Sequence, residues 1–182
     1  MASNFSKTIF NVLRLSFNKI FKRPIGDEVK DIINFLPLSD RIVTGGQPTA
    51  AQLDSIAKAG YRVVVNLALP TSTNALPNES AIVAAQGMEY VSIPIIWEQP
   101  TLDDVQQFFN VMTANAQQPV FVHCAANMRV STFMYLYRRI YDRLSDADAQ
   151  PDLQRIWVPN ANWQAFIQQV LEHYSEAIDP SN

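Results

Sequence analysis

The chain has 182 residues, 48% of them hydrophobic and 17% charged, the proportions of a soluble globular domain long enough to bury a core. A single cysteine excludes an internal disulfide and fits a reducing, cytoplasmic compartment; with two histidines it also argues against a Cys/His zinc site. The net charge of −3 divides unevenly: residues 1–25 carry five bases and no acid, the remainder nine bases and seventeen acids, so a +5 arm precedes a −8 body.

In the arm, Phe5, Ile9, Val12, Leu13, Phe17, Ile20 and Phe21 recur at helical spacing and predict a basic amphipathic helix. Arg14 and Lys19 interrupt the apolar stretch, so it reads as neither a secretory signal nor a bilayer span. Two readings stand: residues 1–23 lie on an anionic membrane surface, or the helix docks on the domain or on a second subunit. Pro24 and Gly26 punctuate the join to a domain expected over residues 27–178.

Within that domain Asp27–Phe35 reads as a short helix with Val29, Ile32 and Ile33 as its apolar residues. Arg41–Thr44 reads as a strand and Gly45-Gly46-Gln47-Pro48 as a turn. Thr49 and Gln52 form a capping box opening a helix that buries Leu53, Ile56 and Ala57 and stops at Gly60. Tyr61–Leu67 is a β-branched run, the mark of a strand buried on both faces. Asn78 caps a helix over Glu79–Gln86 that ends at Gly87. Tyr90–Pro94 is the next strand, and 95–100 a loop. Thr101 and Asp104 make a second capping box, before Val105, Phe108, Phe109 and Met112. After the strand Val120–His123 comes a helix ending near Ser145. Asp146, Asp148, Gln150 and Pro151 read as a polar break, and Trp163–Tyr174 as a last amphipathic helix. This order predicts an α/β domain of three layers, with a central, mostly parallel sheet of about four to five strands flanked by helices.

The chemistry concentrates in Val120-Phe121-Val122-His123-Cys124-Ala125-Ala126-Asn127-Met128-Arg129-Val130-Ser131. A strand runs into His-Cys, a short loop follows, and a helix starts with the Arg. Strand, loop and helix N-terminus aim amide N–H groups and the helix dipole at one point, where an anion or a thiolate is stabilised. An Arg at the loop's end can close a bidentate fork over that anion. Cys124 is thereby the candidate nucleophile, Arg129 the clamp, and residues 125–131 (Ala125, Ala126, Asn127, Met128, Arg129, Val130 and Ser131) the cradle. The loop must turn its amides inward, and Asn127 is the non-glycine residue best suited to φ > 0.

This stretch resembles the signature of cysteine-dependent phosphatases. The commoner form of that signature places Arg one residue later, where this chain has Val130. The shorter spacing occurs in rhodanese sulfurtransferases and in a bacterial tyrosine-phosphatase-like family also found fused to β-lactamase-like hydrolases. Ile42-Val43-Thr44-Gly45-Gly46-Gln47-Pro48-Thr49, Val64-Val65-Asn66-Leu67, and Glu79 with Gly87–Pro94 are similar to the latter family, in register from about Ile32 to about Tyr141. Rhodaneses share only the cysteine loop.

The resemblance implies a fold like that of dual-specificity phosphatases and hydrolysis of a phosphate monoester through a phosphocysteine. It implies no metal and no organic cofactor. It also implies a general acid on the loop before the cysteine strand. Glu98, in Trp97-Glu98-Gln99-Pro100, is the choice; Asp104 has a capping role and Asp103 suits the helix dipole. His123 is read as orienting the loop or tuning the thiolate. In the resembling family a Ser or Thr follows the Arg; here Val130 does, and Ser131 comes next. The expected partner is a phosphorylated protein, lipid or small molecule, with no nucleic acid; oligomerisation is left open. The alternatives are a sulfurtransferase carrying persulfide on Cys124 and a non-catalytic phosphate-binding module.

Overall fold

The structure, a computed structural model, describes residues 25–175. The basic arm therefore lies outside the described residues. Helices are α1 (Asp27–Lys30), α2 (Ala50–Lys58), α3 (Glu79–Ala85), α4 (Leu102–Ala114), α5 (Met128–Ile140), α6 (Asp146–Ile156) and α7 (Ala161–His173). Strands are β1 (Leu36–Pro37), β2 (Ile42–Gly45), β3 (Val63–Asn66), β4 (Glu89–Ser92) and β5 (Val120–His123), in the sheet order β1-β2-β5-β3-β4. Only the β1–β2 pair is antiparallel. This is the three-layer α/β domain with a mostly parallel sheet that the pattern predicts.

The strands alternate two apolar faces, and each face owns a core. Val43, Val64 and Phe121 point to α1–α3, where they meet Val29, Leu53, Ile56 and Val83. Val63, Val65, Val120 and Val122 point to α4–α7, where they meet Phe108, Phe133, Leu153, Trp163 and Phe166. A strand covered on both sides needs no polar alternation, which is why β3 and β5 read as unbroken apolar runs.

β5 inserts between β2 and β3, strands that follow one another in sequence. Register sets Gly45 and Asn66 on either side of His123, so the carboxyl ends of three strands share one row. The cysteine loop leaves from that row, the place where open α/β sheets bind ligands.

Four local expectations need correction. α1 stops at Lys30, and Asn34 turns left-handed at φ 53°, leaving Ile33 57% exposed. The reason lies downstream: the Ile33 carbonyl accepts from the Gly46 amide at 2.7 Å, and Asn34 bonds the cysteine loop. Asn78 stands at the N-cap of α3 but is left-handed, and its side chain makes no cap bond.

α5 ends at Ile140, before Ser145, with Arg143 left-handed at φ 53° and the Leu144 amide returning to the Arg138 carbonyl at 3.0 Å. The predicted polar break is itself a helix, α6. Ser145 caps it, accepting from the Asp148 amide at 3.2 Å, and Pro151 sits inside it. Interior proline costs a helix about 3 kcal/mol. Here burial of Ala149 and Leu153 offsets that cost, with Tyr135 and Arg138 of α5 each donating at 2.6 Å to Asp146 and Asp152. Two-residue β1 carries no period to read and exists only as a partner of β2. Among the described residues no helix is long and apolar enough to cross a membrane.

Candidate active site

Cys124 follows β5 directly, and its amide donates to the Gly45 carbonyl at 3.4 Å. The loop beyond it is held from outside. The Ala125 carbonyl accepts from the Gln47 amide at 3.3 Å and from Asn74 Nδ2 at 2.9 Å; the Ala126 carbonyl accepts from Asn34 Nδ2 at 3.0 Å. A trans peptide sets each N–H opposite the preceding carbonyl. With the Ala125 carbonyl held outward, the Ala126 N–H faces the inside of the loop. The first-turn N–H groups of α5, on Met128, Arg129 and Val130, have no carbonyl one turn back to accept them.

Asn127 makes the turn at φ 65°, ψ 0°. Its Nδ2 donates to the Asn34 carbonyl at 2.7 Å and to Thr44 Oγ1 at 2.9 Å. A glycine could take this backbone conformation but could not make these bonds. Asparagine supplies both, which gives Asn34 and Thr44 roles the sequence did not suggest.

Arg129 is only 8% exposed, and its guanidinium carbon lies 5.5 Å from the Trp97 ring centroid. Its Nε has no hydrogen-bond partner, and among the described residues no carboxylate pairs with it. Trp97 is in turn packed between Trp157 and Trp163, with centroids at 5.1 and 5.0 Å.

The thiol itself is covered: Cys124 is 1% exposed and belongs to the apolar cluster with Val122, Val130 and Phe133. The expected sulfur lying open under an anion is therefore not what this conformation presents. Val130, in the position after Arg129, is fully buried in that cluster. Ser131 is turned elsewhere: its hydroxyl donates to the Met128 carbonyl at 3.0 Å and lines a shallow pocket with Leu36, Thr44 and Met134.

Glu98 is exposed, next to Trp97, and its backbone carbonyl accepts from Asn162 Nδ2 at 3.1 Å. Asp104 is engaged in its capping box, accepting at Oδ2 from the Thr101 amide at 2.9 Å and hydroxyl at 2.8 Å. Among the described residues no group of three or more His, Cys, Asp or Glu could hold a metal ion.

Behind the loop lies a group that pattern reading missed. Glu79, 6% exposed, accepts from Gln47 Nε2 at 2.9 Å, Asn66 Nδ2 at 2.8 Å and the Tyr90 hydroxyl at 3.2 Å. Its Oε1 also lies 3.1 Å from His123 Nε2, although the approach is not in line with the N–H, so the contact is electrostatic rather than a formed hydrogen bond. Burial pushes the Glu79 carboxyl up, but His123, Gln47 and Tyr90 outweigh it and hold it below its ordinary value. Burial likewise pushes the Tyr90 phenol up to about 12, so it stays a donor. The available signal was that Gln47, Asn66, Glu79 and Tyr90 all stand in the segments similar to one family.

Residues 24–170 match one family model, that of a DSP-PTPase phosphatase fused to NAD+ kinase. The chain belongs to this phosphatase family. A DUF442 protein of Shewanella putrefaciens CN-32, a candidate phosphatase of known structure, is 31% identical; the alignment covers 81% of this chain and 97% of that one, with a TM-score of 0.73. TpbA of P. aeruginosa, solved as a cysteine-to-serine variant in complex with phosphotyrosine, shares the fold at a TM-score of 0.65 and 15% identity, over 88% of this chain and 97% of that one. The β-lactamase hydrolase-like protein of Agrobacterium fabrum is 28% identical over 116 residues, 62% of this chain and 27% of its own length. The chain thus spans about a quarter of the curated relatives it matches.

Proposed function

We propose that this phosphatase domain hydrolyses a phosphate monoester, with Cys124 as nucleophile and no metal. The observation that carries this is Arg129: a nearly buried arginine with no carboxylate partner among the described residues, at the N-terminus of the helix that follows the cysteine. A buried charge is costly unless paired. Here the missing counter-charge is the substrate's phosphoryl group, which the fork of Arg129 and the loop amides receive together.

The Cys124 thiolate attacks phosphorus, forming S–P as the ester P–O bond breaks. Glu98, protonated, gives its proton to the leaving oxygen. Water then attacks the phosphocysteine, Glu98 takes that water's proton, and the S–P bond breaks to return thiolate and inorganic phosphate. Glu98 is supported by its place beside Trp97, the residue lying on Arg129.

Hydrolysis of p-nitrophenyl phosphate, lost in Cys124→Ser, is the expected result. A Cys124→Ser protein that still turns over would sink the reading. Glu98→Gln should slow alkyl phosphates more than nitrophenyl phosphate, whose leaving group needs little protonation; equal losses would remove Glu98 from the acid role. The spacing shared with rhodaneses makes thiosulfate-to-cyanide transfer the control reaction, expected to be at background.

A further inference from the structure

We infer that Glu79 is the positioning residue of this site: one buried carboxylate sets His123 directly, and the far side of Cys124 through Gln47. The inference deepens the proposed function and rests on Cys124 being the nucleophile.

The geometry is a hub with two arms. Glu79 Oε1 lies 3.1 Å from His123 Nε2, on the residue before the cysteine. The same oxygen accepts from Gln47 Nε2 at 2.9 Å, and the backbone N–H of Gln47 donates to the carbonyl of Ala125, the residue after the cysteine, at 3.3 Å. Asn66 Nδ2 and the Tyr90 hydroxyl hold the other oxygen, so the carboxylate cannot swing away. Asn66 is itself fixed, its Oδ1 accepting from the Ala68 amide at 2.7 Å.

The histidine has no freedom either. It is 0% exposed, and its ring stacks on Phe121 at 5.5 Å and 16°. Its Nδ1 has no hydrogen-bond partner among the described residues, and the Glu79 carboxylate lies against the other nitrogen. A carboxylate 3.1 Å from one ring nitrogen attracts the ring proton to that nitrogen and so favours one tautomer. The backbone that leads from His123 into Cys124 is then held in place. A carboxylate kept only for packing would be replaced at lower cost by an apolar side chain.

The test uses the full chain, labelled with 15N at its histidines; the chain has only two, and His173→Gln assigns their ring signals. In the unmutated protein the proton of neutral His123 should sit on Nε2, and Glu79→Gln should give a tautomer mixture. Iodoacetamide labelling of the single cysteine should slow about tenfold or more in Glu79→Gln, and kcat should fall with KM within about twofold.

Glu79→Gln combined with His123→Gln should be no slower than His123→Gln alone. A proton on Nδ1 in the unmutated protein overturns the inference, and that measurement needs no variant to fold. So do labelling and kcat left unchanged by Glu79→Gln, or losses that multiply in the double variant. Tautomer and labelling are read without turnover. An active Cys124→Ser protein would therefore sink the phosphatase mechanism by itself, and a misplaced proton would sink only the role of Glu79.

Discussion

The Arg129 guanidinium lies over the Trp97 ring, its carbon 5.5 Å from the indole centroid, in the place where a structural arginine would meet a carboxylate. Cation–π contact of this kind is worth about 1–2 kcal/mol, less than a buried anion would give. The contact therefore parks the arginine without satisfying it, and under the proposed mechanism an incoming phosphate should outcompete the ring.

Removing the indole should open the site. In Trp97→Ala, iodoacetamide should label the 1% exposed Cys124 several-fold faster, while the loss of packing on Trp157 and Trp163 lowers stability by about 2 kcal/mol. Labelling time courses beside urea denaturation check both. Unchanged labelling in a folded variant would show that Trp97 does not guard the sulfur.

Arg129 should trade stability for activity. Arg129→Met removes a buried, unpaired charge and should raise unfolding free energy by about 1–2 kcal/mol while abolishing hydrolysis. Arg129→Lys keeps the charge but loses the planar fork, and kcat/KM should fall about a hundredfold. Calorimetry and steady-state kinetics on the two variants separate these effects.

Asn127 carries both a backbone and a side-chain burden. Asn127→Ala forces a β-carbon at φ 65° without the bonds to Asn34 and Thr44, and should cost about 3 kcal/mol. Asn127→Gly removes the strain but not the loss of bonds, and should cost about half as much. Equal costs would mean the backbone conformation is unstrained.

Glu79 should make stability pH-dependent. Its carboxyl is held below the ordinary value of 4.5 in the folded state, despite the opposing pull of burial. Folding therefore favours the ionised form. The stabilisation is fully present above pH 4.5, where the unfolded carboxyl is also ionised, and is lost as pH falls through the lower folded value. In Glu79→Gln this part of the acid-side slope should vanish, which urea midpoints measured below pH 5 would register.

Much of the molecule was legible because its signals are local. Both capping boxes formed where Thr49 and Thr101 stand three residues before Gln52 and Asp104. The unbroken apolar runs became β3 and β5, buried on both faces. His123 and Cys124 at one end and Arg129 at the other bound one short loop, which the strand-to-helix pattern already marked.

What the sequence alone determined is this set: the layer order, the strand–loop–helix that carries the cysteine, and the family. Only the tertiary structure decided the early stop of α1, the helix built over Pro151, the covering of Cys124, and the Glu79 hub. Three of these depend on partners elsewhere in the chain: Asn34 on Asn127, Arg138 on Asp152, Gln47 and His123 on Glu79. A pattern with a period of two or 3.6 residues records which face of an element is apolar. It holds no record of which distant polar groups will meet once those faces are buried, and at this site those meetings hold the chemistry.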